Sequence, residues 1–319
     1  MTYFKSRRVL NTIAATALSL AIAGTAAVGS ASASPDPSGA ATKRAEAVQK
    51  RIHKDAPSAF AAEPRAAAAP GTVSTPAFDL TAVDKRGSLY LYPQNLSGGL
   101  QAGIKLIDAA DISYAELNQS QAVDNDKDGL QDGFYFWWNG QLSFTTDTDT
   151  VIVGGGWGIY DKVLSPGDLG GAAQSDIIGI DKAGVLWTYL AYADGRVTPR
   201  TKIGSGWDAY TQIAGQGDLT GDGRADIVAR DKAGVLWLYK GTGDYKAPFA
   251  ARTKIGAGWN MYDKLVSIGD MNNDGTADLL ARAANGDLYY YRGTGNAAAP
   301  YAPAVKIGFG YDMFRLMAS

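Results

Sequence analysis

Three stretches of the chain place side-chain oxygens at the spacing a hard cation takes. Asp124, Asp126, Asp128 and Asp132 stand at positions one, three, five and nine of one loop, with Gly129 permitting its sharp bend. Asp218, Thr220, Asp222 and Asp226 repeat the arrangement, and Asp270, Asn272, Asp274 and Asp278 repeat it again. Asp168 and Asp176 keep the ends of a fourth copy whose middle, Gly170-Gly171-Ala172-Ala173, carries no ligand. Such Asp/Asn-Gly runs also form turns held by side-chain to backbone hydrogen bonds. Near-complete copies at equivalent sites favour calcium, Ca2+, bound structurally at each of the three loops. Strand-like flanks and the lack of Glu at position twelve argue against an EF-hand.

A second set of residues suits a different chemistry. Trp157, Trp207, Trp259 and Tyr311 follow glycines at steps of 50, 52 and 52 residues. Sugar rings present apolar C–H faces that stack on aromatics, and glycines let a ligand approach the backbone closely. Asp208, Asn260 and Asp312 adjoin these aromatics and are candidate partners for hydroxyls. Packing between repeated sheets is the competing reading for each aromatic.

Composition narrows what these groups can do. The only histidine is His53 and there is no cysteine. His-based triads, histidine-ligated zinc and disulfides are thereby removed from the folded part. Of the 32 acidic residues only Glu46, Glu63 and Glu116 are Glu, a bias toward the short carboxylates used in turns and ion loops. Paired aspartates could serve a glycosidase, so a secreted hydrolase is one alternative, yet the obvious pairs already have metal-loop spacing. No catalytic residue is expected. Residues 71–319 hold 21 Lys/Arg against 28 Asp/Glu, a formal charge of −7 that disfavours nucleic acid.

The N-terminal part reads differently. Lys5, Arg7 and Arg8 precede a largely apolar stretch from Ile13 to Val28, and Ala31-Ser32-Ala33 fits cleavage before Ser34. Residues 1–33 are therefore expected to be an export signal, by the Sec or twin-arginine route, with the mature chain secreted and free of a transmembrane anchor. Residues 34–72 are rich in Ala and Pro, have Phe60 as their one aromatic, and read as a disordered tail or removable pro-segment.

What must position the loops is a repeat of about fifty residues. Asp79, Asp132, Asp176, Asp226 and Asp278 each stand eight residues before a glycine (Gly87, Gly140, Gly184, Gly234 and Gly286), at intervals of 53, 44, 50 and 52. In the fourth unit, runs at 225–230, 235–239, 252–255 and 262–268 read as four strands of one antiparallel blade. The repeated hairpin glycine suits a turn that needs φ > 0. Phe314 corresponds to Tyr262, so the last strand belongs to a blade whose other strands lie elsewhere, and the first copy lacks that strand. Joining both ends in blade 1 leaves no orphan edge. Residues 73–319 are thus expected to be all-β, a five-bladed β-propeller of four-stranded antiparallel blades.

The segment Asp218 to Asp226 resembles the FG-GAP/VCBS repeat, which includes the calcium-binding blades of integrin α chains. That resemblance spans about residues 76–319 and implies calcium on the loops but no single activity. Five blades depart from the seven of integrin-type rings. Ala251 to Asn260 is similar to the repeat of tachylectin-2-type five-bladed lectins, which bind N-acetylated sugars. Lys202 to Asp208 and Lys306 to Asp312 are related, Val153 to Trp157 is a looser copy, and Lys105-Leu106-Ile107 is followed by no Gly-Trp. Together these imply a secreted, calcium-stabilised, non-catalytic propeller that binds cell-wall or N-acetylated glycans multivalently. A protein–protein interaction platform within a secreted complex is the alternative.

Overall fold

The computed structural model describes residues 75–110, 113–146 and 149–319. The expected export signal and Ala/Pro-rich tail fall outside the described residues. Among those described, no helix is long and apolar enough to cross a membrane.

Twenty strands form five antiparallel four-stranded sheets arranged as a ring. Blade 2 holds β4 (Leu117–Val123), β5 (Gly133–Trp138), β6 (Gln141–Thr145) and β7 (Thr150–Gly154), from axis to rim. Blade 3 holds β8 (Tyr160–Gly167), β9 (Asp176–Asp181), β10 (Leu186–Tyr189) and β11 (Thr201–Gly204). Blade 4 holds β12 (Tyr210–Ala214), β13 (Ile227–Asp231), β14 (Leu236–Tyr239) and β15 (Thr253–Gly256). Blade 5 holds β16 (Tyr262–Ser267), β17 (Leu279–Ala283), β18 (Leu288–Tyr291) and β19 (Val305–Gly308). Blade 1 combines β1 (Leu80–Asp84), β2 (Leu89–Tyr92) and β3 (Ile104–Ile107) with β20 (Phe314–Ala318) as its inner strand.

One expectation needs correction. The run 262–268 does not complete the sheet of 225–255; it is the inner strand of the next blade. The cause is the Gly-aromatic turn after each rim strand. Gly156, Gly206, Gly258 and Gly310 take left-handed φ values of 80° to 94° and start a single 3-10 turn. That turn sends the chain from the rim of one blade to the axis of its neighbour. Sequence unit and sheet are therefore offset by one strand, and this offset obliges β20 to pair with β1.

The pairing runs Thr81 to Ala318, Ala82 to Met317, Val83 to Leu316 and Asp84 to Phe314. Second strands are buried on both faces because each lies between two neighbouring sheets, whereas third strands β2, β10, β14 and β18 alternate buried and half-buried. Apolar residues gather in five clusters, and each cluster bridges two adjacent blades. The seam between blades 5 and 1 joins Val266, Leu280 and Leu288 to Leu80, Ala82, Phe314 and Met317. Phe314 meets Tyr90 and Tyr92 edge-on at 5.3 and 5.8 Å.

Phe314→Ala removes a fully buried ring from this seam and is expected to cost about 3–5 kcal/mol in urea unfolding. A loss below about 1 kcal/mol would show that β20 does not hold the ring together.

Candidate functional site

Antiparallel order sets the geometry of the two faces. The loop after each inner strand opens on one face, while the glycine hairpins and Gly-aromatic turns open on the other. Expected metal loops and expected glycan residues therefore lie on opposite faces of the ring.

On the loop face, Asp124, Asp126 and Asp128 bring carboxylate oxygens within 4.8 Å of one another. Asp124 is buried; its Oδ2 accepts the Gly129 N–H at 2.8 Å, and its Oδ1 has no partner. Burial pushes its carboxyl up to about 7, with Asp132, Asp128 and Asp126 adding to the rise. A cation here would satisfy the orphan oxygen and relieve that repulsion, so the residues of blade 2 fit a hard metal ion. The blade 4 and blade 5 loops share the frame but already hold side-chain cations. Lys240 reaches Asp222 at 3.1 Å and Arg292 reaches Asp274 at 3.4 Å. Asn272 donates to Asp274 at 2.8 Å and leaves its Oδ1 buried without a partner. The turn hydrogen bonds are present as well: Asp218 accepts from Thr220, Gly221 and Gly223, and Asp270 from Asp274 and Gly275. The degenerate loop of blade 3 has a different solution. Lys127, from the blade 2 loop, places its ammonium 2.7 Å from Asp168.

The ninth-position carboxylates do a second job that spacing alone did not reveal. Asp226 Oδ2 accepts from Leu219 and Thr220 at 3.1 and 3.0 Å, and its Oδ1 accepts from Gly241 at 2.8 Å. Asp278 likewise takes Met271 and the Tyr290 hydroxyl on one oxygen and Gly293 on the other. Asp176 takes Leu169 and Ala191, while Asp132 takes Asn125 and Asp126. Asp79 accepts from Gln94, the equivalent of Gly241, although blade 1 has no ion loop. Each of these aspartates except Asp132 ties down the turn that follows the third strand. Burial pushes Asp79 and Asp226 up to about 6, and Asp176 and Asp278 up to about 7, against the lowering effect of these bonds.

On the other face, the aromatic residues are packing groups. Trp157, Trp207, Trp259 and Tyr311 are only 5 to 9% exposed. Trp157 lies on Tyr189 at 4.7 Å, Trp207 on Tyr239 at 4.8 Å, Trp259 on Tyr291 at 4.7 Å and Tyr311 against Tyr92 at 5.4 Å. Their ring faces are covered by the next blade, which corrects the expectation of open stacking platforms. Their backbone N–H groups donate to the hairpin glycines Gly140, Gly184, Gly234 and Gly286. Tyr114 supplies the fifth copy: its N–H donates to Gly87 at 2.9 Å and its ring meets Trp138 at 5.3 Å. Tyr114 stands seven residues after Ile107, against three from Gly204 to Trp207, and this spacing hid it from the sequence pattern.

Polar groups on this face remain open. Asp208, Asn260 and Asp312 are exposed, and their side chains lie over the hairpin glycines. Gly184 and Gly234 have φ of 73° and 80°, so a side chain in their place would be strained. Gly156, Gly206, Gly258 and Gly310 border open space. Two further features were missed from sequence. Arg200 and Arg252 stack 4.0 and 4.1 Å over Trp187 and Trp237, whose indole N–H groups donate to Asp181 and Asp231 at 2.8 Å. Arg230, Arg282 and Arg315 clamp carbonyl oxygens of three inter-blade turns: Trp259 and Tyr262, Tyr311 and Phe314, Tyr114 and Leu117.

Asp226→Ala, unfolded in urea with chelator present, is expected to cost about 2–4 kcal/mol because buried N–H groups lose their acceptor. A cost under about 0.5 kcal/mol would refute the bracing role.

Residues 218–281 match the family model described as FG-GAP-like repeat, a span covering the ion loops of blades 4 and 5. No curated protein sequence matches the chain. Among solved structures, a lectin from Burkholderia pseudomallei is 13% identical, with 74% of this chain and 70% of that chain covered at a TM-score of 0.42. A putative 6-phosphogluconolactonase from Bacteroides fragilis is 14% identical over 75% and 69%, at 0.35. The WD40 domain of SCAP from fission yeast is 7% identical over 74% and 57%, at 0.33. This chain is a five-bladed β-propeller, and its residues 218–281 are similar to the FG-GAP-like repeat.

Proposed function

We propose that the protein is exported, carries structural calcium on its loop face, and binds carbohydrate multivalently without catalysis on the opposite face. The observation that carries this reading is the repetition of one polar arrangement in successive blades: bare glycines at 206, 258 and 310 beside exposed Asp208, Asn260 and Asp312. Trp259 contributes an edge: its Nε1 lies 3.8 Å from the position a Cβ on Gly256 would occupy. Weak sites repeated around a ring gain avidity of about 10²–10⁴ on a polymer such as a cell wall.

Calcium supports the scaffold in this reading. The residues that would hold it are Asp124, Asp126 and Asp128, then the equivalent groups of blades 4 and 5. At tenfold excess over its dissociation constant, each ion adds about 1.4 kcal/mol. It also offsets the −7 charge of residues 71–319. Exposed Ile159, Met261, Phe309 and Met313 on the glycan face favour a second reading, a platform for a protein partner.

Chelation is expected to lower the melting temperature by several degrees, with Asp124→Asn/Asp128→Asn removing the share that the blade 2 ion contributes; an unchanged melt counts against calcium. The mature chain, expected to begin at Ser34, should be retained on chitin or peptidoglycan and released by free sugar. Asp208→Ala/Asn260→Ala/Asp312→Ala should elute earlier. Stoichiometric capture of one protein, insensitive to sugar, would replace the carbohydrate reading with the platform.

A further inference from the structure

The five inner strands line a channel cavity of about 190 Å³ along the ring axis. A register shift precedes Gln119, Lys162, Gln212 and Lys264, which occupy equivalent places in β4, β8, β12 and β16. Bulges of this kind re-aim a side chain, and all four residues line the cavity. We propose that this channel binds a small dianion, of the dicarboxylate or phosphate type, between the ammonium groups of Lys162 and Lys264.

The positive charge in the channel is unbalanced. Among the described residues neither ammonium has a carboxylate partner. Asp263, next in sequence to Lys264, is taken by Arg282 through two bonds of 2.8 and 2.9 Å. Asp161 lines the cavity but is exposed. Burial and the Arg282 charge hold Lys264 below the usual lysine range, with Asp263 opposing only in part. Half-buried cations without partners are unfavourable unless an anion joins them. Residues 71–319 are net acidic, so placing two free lysines in one cavity runs against the general charge.

The cavity also sets the size of the ligand. Its volume of about 190 Å³ suits a molecule of few heavy atoms. The Gln212 side chain is committed to the Asp263 carbonyl and the Leu265 N–H, tying blade 4 to blade 5. Gln119, at the equivalent place in β4, is an amide that can assist in orienting the anion.

Calorimetric titration of the whole chain with succinate, and separately with inorganic phosphate, tests this in low salt without calcium. One saturable site for either anion is expected, and which anion binds identifies the source chemistry. Lys162→Met and Lys264→Met should each weaken binding about tenfold or more. Both keep side-chain volume, and their melting curves establish that they fold; Lys264→Arg should retain most of the affinity. Failure of both anions to saturate the wild type, or equal affinity in the folded double Met variant, would overturn the proposal. Neither result depends on the carbohydrate or calcium readings.

Discussion

An unpaired strand edge facing the axis of a ring would leave a row of backbone groups unsatisfied. That constraint organises this molecule. Each blade receives its inner strand from the neighbouring sequence unit, delivered in blades 1, 3, 4 and 5 by a left-handed glycine and one 3-10 turn. Four blades can be supplied in this way by chain order. The remaining inner position, in blade 1, is filled by β20, which pairs with β1 across more than two hundred residues. Five apolar seams follow directly, since every sheet is sandwiched between two others.

The repeated aspartates divide their labour under that constraint. The copy just before or at the start of each second strand is present in all five units, including blade 1, where no ion loop exists. It serves the backbone. Carboxylates earlier in the loop vary among blades, and their environments vary with them: a converging trio in blade 2, lysine and arginine partners in blades 4 and 5, and a borrowed lysine in blade 3. Framework and ion chemistry therefore occupy different positions of one motif.

Much of the fold was legible in the sequence. Glycine and aspartate at fixed offsets mark hairpins whatever surrounds them, and Gly87, Gly140, Gly184, Gly234 and Gly286 all have positive φ. Strand phase was not legible, because a run such as 262–268 has the same residues whichever sheet it joins. Nor was aromatic burial: Trp207 after two glycines reads alike whether Tyr239 covers it or a sugar does. The roles of Arg230 and Arg282 were not legible either, since only the assembled seam reveals the carbonyls they clamp. The channel lysines were invisible for the same reason, being brought together by the ring alone.

Hydrogen exchange resolved to single amides tests closure most directly. With β20 as an integral inner strand, its amides must open with the same global event as those of β12 and β16. Exchange of Leu316 and Met317 at the fast rate of a frayed terminus, while β12 and β16 stay protected, would contradict the closed ring.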